Sequence, residues 1–170
     1  LSPVPIESTT SDLDIFGSML NMRNDSWIEF LFNNPYYVWW SLNVSLTREL
    51  VGNHSLLFTW TGSDAQAQPV ALMAHQDVVP IAPGTEALWK KPPFAGVVED
   101  GFVWGRGTLD DKSNLVTQLE ALEMLLKAGV QPRRTIYFVF GHDEEVGGAR
   151  GVVPIVALLK QRGIRLAWVL

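Results

Sequence analysis

From Ser55 onward the chain alternates between short apolar runs and polar breaks. Ser55 to Trp60 and Val70 to Ala74 are strand-like, and Thr61-Gly62-Ser63-Asp64 between them carries turn chemistry, so the two are predicted to be neighbours in one sheet. Val79 to Gly96 holds Pro80, Pro83, Gly84, Pro92, Pro93 and Gly96, too many breakers for a regular element. This predicts a long surface excursion, and an excursion of that length inside a compact domain is usually functional. Val97 to Trp104 alternates around Glu99-Asp100-Gly101, a hairpin signal, and Gly105-Arg106-Gly107 closes it. Leu115, Leu119, Leu122, Leu125 and Leu126 recur at helical spacing, with Ser113 or Asn114 as N-cap, Gly129 as stop and Pro132 beyond.

Thr135 to Phe140 is a continuous β-branched and aromatic run, as expected of a central strand buried on both faces. A second helix is predicted from Ala149 to Arg162, ending at Gly163, and Arg165 to Leu170 begins another apolar strand. Upstream the pattern is weaker. Residues 1–20 form a poorly committed lead-in with one helical turn between Leu13 and Leu20. From Asp25 to Leu50 an aromatic cluster broken by Asn33-Asn34-Pro35 predicts two short helices whose rings pack a core. The order strand, helix, strand, helix, strand argues for an α/β fold, a mixed, largely parallel sheet flanked by helices.

Composition narrows the function. The 170 residues carry 13 Lys and Arg against 18 Asp and Glu, a net charge of −5, and no basic run longer than two. The clustered cations that binding a phosphate backbone requires are missing, so no nucleic-acid partner is expected. No apolar stretch approaches the roughly 18 to 20 residues of a membrane span. The first basic residue is Arg23, so no charged leader region is visible, and the start at Leu1 suggests a processed or trimmed beginning. There is no cysteine. Thiolate catalysis and Cys-based zinc sites are excluded, and any metal must be held by His, Asp and Glu.

Three polar clusters sit where strands end, the place where open α/β sheets bind ligands. Val70 to Ala74 runs into His75-Gln76-Asp77, and in extended chain His75 and Asp77 point the same way. Asp77 is a candidate to hold the second ring nitrogen of a metal-binding His75, though a simple His/Asp pair reads equally naturally. Asp110 and Asp111 directly precede the leucine-rich helix, where carboxylates also serve as caps. The glycines before them lack the ending of a phosphate loop. His142-Asp143-Glu144-Glu145 follows the central strand, and three consecutive acids there are costly to gather without a cation, unless the turn is simply solvated. His75 and Asp110 are 35 residues apart, as are Asp110 and Glu145, so each arrives from a different element. Together they supply the ligand set of a hydrolytic zinc site.

These segments resemble the cocatalytic two-zinc aminoacylase and carboxypeptidase family, and within it the carboxypeptidase S or Gly-X carboxypeptidase branch, which includes N-acyl amino acid hydrolases. The likeness rests on MAHQDVVP at 73–80, WKKPPFAGVVEDGFVWGRGTLDDK at 89–112 and FGHDEEVGG at 140–148, with weaker likeness over 50–170. It implies that His75 ligates one zinc and Asp77 orients it, and that Asp110 bridges two zincs while Asp111 does not ligate. It further implies that Glu145 ligates and that Glu144 is the general base acting on a metal-bridging water in amide hydrolysis. The implied substrate is a small peptide or an N-acyl amino acid, and the implied partner of the full-length form is a second copy.

The family pattern also needs a zinc carboxylate soon after the strand near Arg165, a late His, and an inserted lid and dimerisation domain. None falls within the 170 residues, so 21–170 reads as the N-terminal part of a zinc-peptidase catalytic domain. The alternative is a truncated, catalytically incomplete remnant acting as a partner-binding protein. A metal-dependent phosphoesterase is disfavoured by the acidic balance. His54 matches no motif and is assigned to surface or loop. Acceptor patterns at Asn24, Asn43 and Asn53 tilt the expected setting toward the secretory pathway, secreted or vacuolar.

Overall fold

The computed structural model describes residues 46–170. The lead-in, the aromatic cluster ahead of residue 46 and the acceptor positions Asn24 and Asn43 lie outside the described residues. In chain order the elements are β1 (Thr47–Val51), β2 (Ser55–Trp60), β3 (Val70–His75), β4 (Val97–Glu99), β5 (Phe102–Trp104), α1 (Lys112–Lys127), β6 (Ile136–Gly141) and α2 (Val152–Gln161). Two 3-10 turns, Glu86–Leu88 and Glu144–Val146, are added to these.

β1 corrects the second predicted helix, which was to reach Leu50. The Gly52-Asn53 turn, with both residues at positive φ, folds Thr47–Val51 back on β2, where Thr47 lies opposite Thr59 and Val51 opposite Ser55. Cross-strand bonding overrides the aromatic periodicity upstream.

A second correction concerns neighbours. The sheet order is β1-β2-β6-β3, so β6 lies between the two strands predicted to pair. β6 has the run most able to be covered twice, with Tyr137 and Val139 on one face and Phe138 and Phe140 on the other, all four buried. It therefore takes a central place. The 61–69 connection passes its start, where Ser63 and Asp64 N–H donate to the Pro132 and Arg133 carbonyls at 2.9 and 3.0 Å.

β1, β2 and β6 pair antiparallel, and β6 and β3 pair parallel from Val70/Ile136 to His75/Gly141. Along the other side of β3, Ala71 N–H donates to Trp168 O at 3.2 Å and Met73 N–H to Leu170 O at 2.8 Å, with a parallel bridge between Ala71 and Val169. The predicted terminal strand is thus present as a bridge of narrower extent. The result is a mixed sheet with a helix on each face. Leu56, Phe58, Trp60, Phe138 and Phe140 pack on Leu115, Leu119 and Leu122 of α1. Leu57, Tyr137 and Val139 pack on Ile155 and Leu159 of α2. Each such buried side chain stabilises the fold by about 2 kcal/mol, and the odd/even alternation is what commits both faces.

α1 begins at Lys112 with Asp111 as N-cap, two or three residues ahead of the predicted Ser113 or Asn114, because Leu115 N–H already donates to Asp111 O at 3.2 Å. α2 begins at Val152 rather than Ala149, since Gly147 and Gly148 at positive φ keep the preceding residues in a turn. Both helices stop where predicted. Gly129 and Gly163 take the left-handed conformation, and Val130 and Ile164 N–H close back on Leu125 O and Leu159 O at 3.0 Å. The β4–β5 hairpin turns at Asp100-Gly101, as the pattern predicts. No helix among the described residues is long and apolar enough to cross a membrane.

Candidate metal centre

Because β3 and β6 are parallel and end together at His75 and Gly141, the chain leaves both strands at the same edge of the sheet. The N-terminus of α1 is tied to that edge: His75 N–H donates to Asp111 Oδ2 at 3.1 Å. That contact spends the Asp111 carboxylate on positioning and leaves Asp110, joined to it by a cis peptide bond, beside the imidazole. His75 Nε2 lies 2.9 Å from Asp110 Oδ1. On the other side of the ring, Nδ1 lies 3.0 Å from the Asp77 main-chain carbonyl and 3.3 Å from Asp77 Oδ1.

Asp77 reaches further. Its Oδ1 and Oδ2 accept the N–H groups of Glu144 and Glu145 at 3.1 and 3.0 Å, so one carboxylate joins the end of β3 to the acidic turn after β6. Ligand atoms of His75, Asp110 and Glu145 come within 4.8 Å of one another, and Glu144 Oε2 lies 3.9 Å from His75 Nε2. Beside them a cavity of about 160 Å³ is floored by Met73, Ala74, Gly141, Gly148 and Val152. The excursion over 79–96 contributes to a larger one, about 390 Å³, walled by Trp89 and Trp104, with the Arg106 guanidinium 4.9 Å above the Trp89 ring.

The electrostatics follow from this crowding. The hydrogen bond to Asp77 drives the His75 pKa up; burial opposes it and Asp110 adds to it, leaving the imidazole pushed up to about 9. Burial alone would raise Asp77, but the bonds from His75 and from the Glu145 and Glu144 amides outweigh it and hold the carboxyl below its ordinary range. Lys112, only 2 % exposed, is lowered to about 8 by burial, with the Asp77 charge working the other way.

One buried imidazole ringed by oxygens from three elements fits a metal on its donor chemistry. With its Nδ1 side turned to Asp77, His75 presents Nε2 and the carboxylates present hard oxygens, a set suited to zinc and related divalent ions. One of the acids stands apart, and His54 lies on the surface as the sequence predicts. Asp143 does not join its acidic neighbours in the ligand group: it lines the same cavity but is 4 % exposed, its Oδ2 accepting Arg150 N–H at 2.8 Å. The three consecutive acids therefore do not gather at one place, because the turn after β6 sends the first inward. His54 is exposed in the β1–β2 turn, its ring edge-on to His142 at 5.2 Å.

Residues the sequence did not mark also hold the edge together. Buried Gln76 donates from Nε2 to the carbonyls of His54 and Phe140 at 3.0 and 2.9 Å, and fully buried Ser55 Oγ lies 2.7 Å from His142 Nδ1. A polar residue between a candidate ligand and the carboxylate expected to orient it was the available signal for Gln76; Ser55 had none.

Residues 71–170 match the model of peptidase family M20/M25/M40. The chain belongs to this family. Among M20 relatives, the N-fatty-acyl-amino acid synthase/hydrolase of Danio rerio is 51% identical over 127 residues, covering 74% of this chain and 24% of its own length. Carboxypeptidase S of Saccharomyces cerevisiae is 44% identical over 124 residues, 72% of this chain and 22% of its own. The chain thus spans about a quarter of the length of these M20 relatives. An M20 metallo-carboxypeptidase from Sulfolobus solfataricus shares the fold, with a TM-score of 0.73 at 19% identity over 95% of this chain and 37% of that one. The mixed sheet with flanking helices is the architecture of M20 catalytic domains, and the family assignment is to hydrolases.

Proposed function

We propose that this chain carries part of the active site of a zinc-dependent amide hydrolase that releases a C-terminal residue from a peptide or cleaves an N-acyl amino acid. One observation carries the reading: groups from β3, the start of α1 and the turn after β6 bring a ring nitrogen and two carboxylate oxygens within 4.8 Å of one another. The names of the relatives support the substrate class, one being an N-fatty-acyl-amino acid hydrolase and the other a carboxypeptidase.

In this reading His75, Asp110 and Glu145 hold the metal, with Asp110 offering two oxygens as a bridge. Zinc, when bound, supplies a water acidified toward neutrality and a Lewis acid for the scissile carbonyl. Asp77 accepts the hydrogen bond of His75 Nδ1–H on its main-chain carbonyl, with Oδ1 close by, and so fixes the tautomer that leaves Nε2 free to ligate. Glu144 Oε2 removes a proton from the attacking water and returns it to the leaving amine, the role its exposed side chain next to the ligands suits. The amides of Glu144 and Glu145 hang on the same Asp77, so base and ligand keep a fixed relation to the imidazole. The remaining ligands and a homodimer belong to the full-length form in this proposal, with 21–170 as the N-terminal part of its catalytic domain. A secretory-pathway setting is proposed on the exposed acceptor Asn53 in the β1–β2 turn.

The test is zinc content by mass spectrometry together with hydrolysis of an N-acyl amino acid, for full-length wild type and Asp110→Ala. Zinc and activity in the wild type, both lost in the variant, are expected. Zinc content unchanged by the substitution would sink the ligand assignment, and a full-length wild type with neither zinc nor activity would overturn the hydrolase reading.

A further inference from the structure

The turn that carries Glu144 and Glu145 has no packing of its own to hold it. None of the side chains in Glu144–Val146 is buried, and Val146 is 74% exposed. Its position must come from polar anchors. Asp77, in front, takes the two amides. Behind it stands Asp143, whose main-chain carbonyl accepts Val146 and Gly148 N–H at 3.3 and 2.7 Å while its side-chain Oδ2 accepts Arg150 N–H at 2.8 Å. One residue thus grips the turn at three points and closes it into a loop from 143 to 150.

The carboxylate is fitted to this place by Gly151. A Cβ there would stand 2.3 Å from Asp143 Oδ1 and 3.0 Å from Ser55 Oγ, so the glycine's bare Cα is what admits the side chain. Oδ1 itself is buried and accepts no hydrogen bond among the described residues. Its neighbour Ser55 meets His142 Nδ1, which extends the anchor into β2.

We propose that Asp143 is a positioning residue, its buried carboxylate packed on Gly151 and bonded to Arg150 N–H so that Glu144 and Glu145 are held in register with His75 and Asp110. The inference rests on the zinc reading above. In this proposal Asp143 ligates nothing; it acts through the two glutamates, and loss of a group that orients metal ligands changes metal affinity or activity by about 10- to 100-fold.

The experiment measures zinc affinity by chelator competition, kcat and KM for an N-acyl amino acid, and Tm, in the full-length protein. Asp143→Ala is expected to lower both kcat and zinc affinity by about tenfold or more, with KM within about twofold. Asp143→Asn keeps an acceptor for Arg150 N–H and should recover most of both. Gly151→Ala, whose methyl group displaces the carboxylate, should reproduce the alanine variant, and it carries the test if Asp143→Ala does not fold. Ile155→Val, a core change, supplies the contrast: it lowers Tm without moving kcat. Wild-type kcat and zinc affinity in folded Asp143→Ala or Gly151→Ala, or an Asn variant as impaired as Ala, would overturn the positioning role alone. A wild type that takes up no zinc would overturn the functional reading beneath it.

Discussion

Two carboxylate-bearing segments meet at the edge of the sheet, and they are placed by opposite means. The turn after β6 is tied through its main chain, to Asp77 on one side and Asp143 on the other, so Glu144 and Glu145 are placed before any ligand arrives. Asp110 is placed by its neighbour. Asp111 fastens the junction to His75 N–H, while the Asp110 side chain, 73% exposed, meets the imidazole alone. One half of the site is thus preorganised by buried acceptors, the other by a strand-to-helix junction that leaves its carboxylate free to adapt. In the proposed function Asp110 is the bridge, and a bridge has reason to be the adaptable member.

Removing the shared anchor should break this difference most severely. Asp77→Ala frees two amides and leaves His75 Nδ1 only the main-chain carbonyl, and zinc affinity is expected to fall by up to about 100-fold, with a stability loss of about 2 kcal/mol, read by chelator competition and urea unfolding. Changing pH should sharpen it. In the metal-free protein His75 is held protonated above its ordinary 6.5, so its pairing with Asp77 and Asp110 stabilises the fold fully below pH 6.5 and loses that contribution as pH rises through about 9. Zinc has to displace that proton, so affinity should fall by about tenfold for each unit below pH 9, with proton release on binding seen by calorimetry. The smallest effect belongs to Asp111→Ala. His75 N–H loses its acceptor and stability is expected to drop by about 1 kcal/mol, while zinc affinity stays within about threefold if, as proposed, Asp111 is no ligand.

The parts of this arrangement that the sequence displays are those written in one stretch of chain. The leucines of α1, the double-faced run of β6, the Asp100-Gly101 hairpin and the glycine stops of both helices all follow from local periodicity and turn chemistry. His75, Asp110 and Glu145 could be marked because each sits at the end of such a stretch. What the chain conceals is competition between stretches. Ser55–Trp60 and Val70–His75 look like partners until β6, more apolar on both faces, takes the place between them. Thr47–Val51 reads as the tail of a helix until a left-handed Gly52-Asn53 pair turns it onto β2. Asp143 is indistinguishable from Glu144 and Glu145 in the acidic run, since nothing local says that one carboxylate of three faces inward. The sign of it, a glycine eight residues later with no room for a methyl group, makes sense only in three dimensions.

The parallel ladder between β3 and β6 joins residues 66 apart in the chain, from Val70 with Ile136 to His75 with Gly141. Closing so long a loop is entropically costly and rewards the chain only once the pairing is complete, whereas the β1–β2 and β4–β5 hairpins form from near neighbours. The edge where the three candidate ligands converge therefore belongs to the late-forming portion of the molecule. A polypeptide still searching for that pairing has hairpins and helix but no constellation to present, so under the proposed function capture of an ion would serve as a readout of completed topology.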